Sequence, residues 1–282
     1  MRDLAEHPEL CAINTATLGF QAPITDVVDA VARAGFGGIA PWRRELEGQD
    51  VRMLARHIRN AGLKVTGFCR STYLPAMDAQ QFNANVQDNL AALQTAAELG
   101  ADYFALVVGS IPPGGKDISA ARAQVAEGLA VLLPAARKFG VRLALEPLHP
   151  VYAVDRSCIN TLAQALDLCA AIEGDVPQPR LGLLVDAYHV WWDPNLARDI
   201  ARAGTRIFGF HVSDWLVPVA DVLNDRGMMG DGVLDLPAVR ALVEGAGYQS
   251  FVEAEIFSTQ NWWKRPMAET LSVARERFAR CV

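Results

Sequence analysis

Glu146, Asp186, His211 and Glu255 each close an apolar run, in LALEP, LGLLVDAYH, IFGFHVSD and FVEAEIF. Three carboxylates and an imidazole make a hard, oxygen-rich ligand set. It suits Mn2+, Mg2+ or Co2+, and Zn2+ also accepts these side chains. Taken singly, an acid at a strand end is a salt-bridge or helix-cap partner, and a histidine there is a structural one. Four on four successive runs are another matter, because carboxylates buried together repel one another unless a cation compensates them. A bound divalent cation would make the proton beside a substrate carbonyl easier to remove. Glu253 competes with Glu255 for the last position. The two share strand parity. Glu255 lies nearer the strand end, so it is assigned the ligand role and Glu253 a deeper place beside a buried donor.

The four residues are 40, 25 and 44 positions apart along the chain. A parallel barrel would gather them, because its chemistry sits at the C-terminal ends of its strands. Short apolar runs recur at roughly 9–14, 37–42, 63–69, 102–108, 141–146, 181–186, 206–212 and 249–256, each with the length and character of a strand buried on both faces. Between them, residues 80–99 and 119–139 carry apolar positions at helical spacing. Glycines in AGF, AGL, LGA, FGV and AGY stand just before strands, where a left-handed C-cap turns the chain. Eight such units in 282 residues leave roughly 35 residues for each, the size of a β/α unit. The expected fold is α/β, a (β/α)8 TIM barrel, with residues 1–282 as one domain. A doubly wound sheet would need a glycine-rich phosphate turn. The early NTATLGFQAP turn is not one, and GSIPPGGK at 109–116 lacks the phosphate-loop spacing and reads as a barrel-top loop.

Composition narrows the function classes. The chain is 51% hydrophobic and 21% charged, with a formal net charge of -6. That is too apolar for disorder, and the acidic balance argues against a nucleic-acid partner. No apolar run reaches the roughly 20 residues of a membrane span. MRDLAEHPEL lacks the basic and apolar regions of a signal peptide. Five scattered cysteines without a CxxC argue against disulfides and cysteine-zinc sites, so a reducing, cytoplasmic location is expected. Trp42, Trp191, Trp192, Trp215, Trp262 and Trp263 all follow strand runs. Some are expected to wall a pocket, Trp215 among them. The Trp262–Trp263 pair is expected against a lid or a subunit contact, the latter in a homodimer. His149, close after Glu146, is a further substrate-contact candidate, and Arg70 could reach an anionic group.

The motifs LEPLHP at 145–150, VDAYHVWWDP at 185–194, FHVSDW at 210–215, DRGMMGDGVLDL at 225–236 and EAEIFS at 253–258 carry a resemblance. The chain resembles the xylose-isomerase-like family of sugar and sugar phosphate isomerases and epimerases. It is most similar to the inosose isomerase and ketose 3-epimerase branch. The resemblance implies one divalent metal held by Glu146, Asp186, His211 and Glu255. It implies proton exchange with substrate by Glu146 and Glu255, and substrate contact by His189 and Arg226. The chain departs from the pattern where GGIAPWRR puts Ala40 and Trp42 at the end of the second strand in place of a glutamate, and where Met229-Gly230 replaces a Pro-Gly pair. The expected activity is metal-dependent isomerisation or epimerisation of a keto-sugar or keto-inositol, a small-molecule substrate. A dehydratase of inosose-like or dehydroshikimate-like substrates, an abasic-site endonuclease and a non-catalytic sugar-binding barrel are the alternatives.

Overall fold

The apolar runs become parallel strands in a computed structural model that describes residues 1–282. They are β1 (Cys11–Asn14), β2 (Gly38–Ala40), β3 (Lys64–Val65), β4 (Gly67–Phe68), β5 (Tyr103–Leu106), β6 (Arg142–Leu145), β7 (Leu181–Asp186), β8 (Ile207–Val212) and β9 (Val252–Ala254). Eight strands were expected and nine segments form, because the third run divides at Thr66. One half, β3, pairs with β2 and the other, β4, pairs with β5. The ladder order β3-β2-β1-β9-β8-β7-β6-β5-β4 therefore begins and ends on the same stretch of chain, and the sheet curls into a barrel. Thr66 turns its hydroxyl inward, where it donates to Glu253 Oε2 at 2.5 Å.

Helices α1 (Ile24–Arg33), α2 (Val51–Asn60), α3 (Ala79–Leu99), α4 (Ile118–Phe139), α5 (Leu162–Glu173), α6 (Ala187–Val190), α7 (Leu196–Ala203), α8 (Leu236–Gly245) and α9 (Met267–Cys281) follow the strands. The two longest, α3 and α4, match the expected spans within a residue. The Asp78 carboxylate caps α3 by accepting from Gln81 N, and Asp117 caps α4 by accepting from Ser119 N and Ala120 N. Gly100 (φ 78°) and Gly140 (φ 77°) end them in the left-handed region. No helix is long and apolar enough to cross a membrane, and all five cysteines are free.

Register sets the level of each functional side chain. Asp186 on β7 stands beside His211 on β8, and His211 stands beside Glu253 on β9. Glu146 follows β6 directly and Glu255 follows β9 directly. Between β7 and β8 the register shifts: Leu183 pairs with Ile207 but Leu184 pairs with Gly209. The extra residue is Phe208. A bulge of this kind changes which face the following side chains use. It lets Phe208 fill the barrel with Tyr103, Ala105, Ala144 and Leu184 while Gly209 and His211 also point inward.

Tyr103 needs space made for it. A Cβ at Gly67 would lie 2.4 Å from Tyr103 Cε2, and one at Gly209 would lie 2.8 Å from Tyr103 Cζ. The ring lies between these two strands and its hydroxyl reaches His211 Nε2 at 3.0 Å. Replacing Gly67 by alanine overpacks the interior, so Gly67→Ala is expected to destabilise the chain by roughly 1–3 kcal/mol. Denaturant unfolding measures this; a variant as stable as the parent would show that Tyr103 is free to move aside.

Candidate metal centre

Glu146, Asp186, His211 and Glu255 each offer one ligand atom, and these atoms lie within 4.8 Å of one another. All four residues are buried, yet not equally: Asp186 and His211 are 0% exposed, while Glu146 and Glu255 are each 5% exposed and line a cavity. The lower pair forms a floor and the upper pair meets the open space. Glu253 sits lower still and does not join the cluster. It accepts from Asn14 Nδ2 at 3.0 Å and from Thr66, and its Oε1 lies 2.9 Å from His211 Nε2.

That contact decides the His211 tautomer. A carboxylate only accepts, so Nε2 carries the hydrogen donated to Glu253, and in the neutral ring, the form that would bind a cation, Nδ1 carries the lone pair. Nδ1 is buried, has no hydrogen-bond partner and lies 3.6 Å from Glu255 Oε2. A carboxylate behind a histidine in this way fixes the ring and strengthens it as a metal ligand. Glu146 Oε1 is likewise buried and unpartnered. These two orphaned atoms, with carboxylates beside them, fit a divalent cation.

One positive charge is already built in. Arg226 Nη1 donates to Asp186 Oδ2 at 2.9 Å and to Glu255 Oε2 at 3.3 Å. Its guanidinium lies between the rings of Tyr188 and Phe257, 4.4 and 5.2 Å from their centroids. A single guanidinium does not balance three carboxylates. With no cation among them, burial, then the charges of Glu255 and Asp186, push Glu146 up to about 8. Burial opposes a charged His211, but Glu253 and Glu255 outweigh it and drive that imidazole well above its usual range. A carboxyl that keeps its proton and an imidazole that takes one mark a site short of positive charge.

His189 also lines the cavity. Burial, reinforced by Arg226, holds it well below the ordinary imidazole pKa, so the ring is neutral. Arg226 Nη2 lies 3.2 Å from His189 Nε2 and only donates, so Nε2 accepts and Nδ1 bears the hydrogen. That Nδ1 is buried and without a partner. Arg226 comes from a loop rather than a strand end. The Asp214 carboxylate holds this loop by accepting from Trp215 N, Gly230 N and Leu234 N, and Arg226 N donates to Phe257 O.

The cavity is narrow, about 30 Å³ in volume. Of the six tryptophans Trp42 lines it, with its indole nitrogen donating to Asn14 Oδ1 at 2.6 Å. His149 and Trp215, expected to contact substrate, are not among the residues that line it. Trp215 stacks on Tyr188 at 4.7 Å, His149 lies 5.0 Å from Trp215, and His149 Nδ1 accepts from Val151 N. They form an aromatic layer outside the wall. The Trp262–Trp263 pair packs within the chain: Trp262 is buried and donates to Asp231, and Trp263 donates to Ala16 O and Ile256 O. Arg156 and Tyr152, both on the wall, had no motif to announce them.

The sequence model described as "Xylose isomerase-like TIM barrel" matches residues 28–277. A search of curated proteins finds no match. Among solved structures, a protein from Sinorhizobium meliloti 1021 is 48% identical, with 98% of this chain and 99% of that one covered and a TM-score of 0.93. The IolI protein with a bound zinc atom is 20% identical, covering 95% of this chain and 96% of that one at a TM-score of 0.81. D-psicose 3-epimerase in the presence of D-fructose is 16% identical, covering 95% and 96% at a TM-score of 0.77. At these identities the last two share the fold.

Glu253 acts on the cluster only through His211. Glu253→Gln is expected to weaken Mn2+ binding about 10- to 100-fold while leaving the four ligand residues in place. Competition with a chelator of known affinity reads this directly; unchanged affinity would leave Glu253 no part in the centre.

Proposed function

The chain belongs to the xylose isomerase-like TIM barrel family, and from that premise we propose that it is a divalent-metal-dependent isomerase or epimerase of a keto-sugar or keto-inositol. One observation carries the reading: of four clustered ligand residues, only Glu146 and Glu255 reach the cavity. Asp186 and His211 hold the ion and do nothing else. Glu146 and Glu255 hold it and also move protons. The ion is Mn2+, Mg2+, Co2+ or Zn2+. The fold shared with the zinc-bound IolI protein and with D-psicose 3-epimerase supports the substrate class.

When bound, the ion supplies positive charge beside the substrate carbonyl and makes the neighbouring proton more acidic, an effect worth several kcal/mol. The chain's own residues do the rest. One glutamate takes the proton from the carbon next to the carbonyl. The other returns a proton, to the opposite face for epimerisation or to the adjacent carbon for isomerisation. The orphaned Nδ1–H of His189 donates to a substrate oxygen and fixes its orientation. Arg226 stays charged because Asp186 and Glu255 favour its cation against the cost of burial. Its charge steadies the neutral form of His189 and the negative charge that develops on the substrate. Trp42 and Phe257 close the apolar side of the cavity and keep bulk water from the carbanion.

The test is solvent exchange. In D2O with Mn2+, the protein is expected to place deuterium on the carbon beside the carbonyl of a keto-sugar or inosose. His189→Asn is expected to slow this about 10²–10⁴-fold with ion content unchanged. Loss of water from the substrate, seen by mass, would replace isomerisation with dehydration. Tight binding with no exchange for any of the four metals would leave a binding protein.

A further inference from the structure

Arg70 and Arg156 line the same cavity as Glu146, His189, Arg226 and Glu255. Most arginines of this chain are committed to carboxylates, Arg226 to Asp186 and Glu255 among them. Arg70 and Arg156 form no ion pair. The side chain of Arg70 donates only to the adjacent Ser71 O, at 3.1 Å, and its guanidinium lies 4.8 Å from the Tyr73 ring. Arg156 lies 5.6 Å from the Tyr152 ring, and its Nε is buried with no partner. The Tyr152 hydroxyl beside it is also buried and unpartnered, on a residue only 6% exposed that lines the cavity.

Two guanidiniums on one wall repel each other. Burial and the charge of Arg156 both lower the pKa of Arg70. Such an arrangement is costly unless an anion comes between the cations. The clustered carboxylates do not serve, because none approaches either arginine within ion-pair distance. Buried polar atoms without partners need an explanation, and here three donors converge on one wall: Arg70, Arg156 Nε and Tyr152 OH. Planar guanidiniums match the paired oxygens of a carboxylate or phosphate.

We propose that Arg70, Arg156 and the Tyr152 hydroxyl form an anion subsite, so that the substrate is a keto-sugar derivative carrying a carboxylate or a phosphate away from its carbonyl. This rests on the isomerase reading for the keto end of the substrate. The anion end stands on the arginines alone.

The test is calorimetric binding to the Mn2+-loaded full chain, which needs no turnover. Its probes are D-fructose, D-fructose 6-phosphate and 5-keto-D-gluconate. At least one anion is expected to bind about 10- to 100-fold tighter than the neutral ketose, with the advantage shrinking as salt is raised. Preference for the gluconate assigns a carboxylate and preference for the ester assigns a phosphate. In Arg156→Gln and Arg70→Gln the ratio is expected to fall toward one, and Arg156→Lys is expected to restore part of it. Melting temperatures identify any variant that fails to fold. A wild-type protein that binds D-fructose as tightly as both anions would overturn the subsite, as would glutamine variants that keep the anion's advantage. An anion advantage without deuterium exchange would keep the subsite and remove the isomerase reading; exchange confined to neutral ketoses would do the reverse.

Discussion

Four carboxylates meet inside one barrel, and the surrounding structure is arranged around their charge. Glu146, Asp186, Glu253 and Glu255 are each at most 5% exposed. Removing so many anions from water is costly unless each finds a donor or a cation. Glu253 is answered by Asn14, Thr66 and His211. Asp186 and Glu255 share Arg226. Glu146 has no such partner: its Oε1 remains orphaned, and burial together with Glu255 and Asp186 raises its pKa to about 8. The shortage of positive charge falls where His211 Nδ1 also lies, and a divalent cation held there would relieve it.

The fold meets this demand with small adjustments. Parallel register brings Asp186, His211 and Glu253 side by side on neighbouring strands. The bulge at Phe208 lets one strand fill the barrel and still aim His211 into it. Gly67 and Gly209 leave room for Tyr103, whose hydroxyl steadies His211 from below. Above the strands, Asp214 ties down the loop that carries Arg226. The clustered acids and His211 thus come from strand ends, while Arg226 reaches them from a loop above.

The strands and the four residues that cluster at their ends were legible because they rest on local patterns. Buried parallel strands read as continuous apolar runs, and the charged residue that ends each run stands out against them. The glycine stops were visible for the same reason: Gly100 and Gly140 adopt the left-handed backbone that helix ends require. Shared parity put Glu253 and Glu255 on one face, and their order along the strand put them at different depths. What depends on distant partners was hidden. No local pattern announces that Thr66 divides its strand to reach Glu253, or that Phe208 shifts the register. His149 and Trp215 follow strands, as pocket residues do, but a sequence does not say which side of a loop faces the opening; both turned into the aromatic layer behind it. Arg156 has no motif at all. Only its missing partner, seen in three dimensions, singles it out.

The most direct test of the charge account is calorimetric titration of chelator-treated protein with Mn2+, in buffers of different ionisation heat. Glu146 titrates at about 8 in the absence of a cation, so at pH 7 it is mostly protonated and must lose that proton to bind metal. The account predicts one ion per chain with net proton release at pH 7, from the Glu146 carboxyl and from the His211 imidazole that the neighbouring carboxylates hold protonated. Absence of saturable binding, or binding of one ion with no proton released at pH 7, would contradict it.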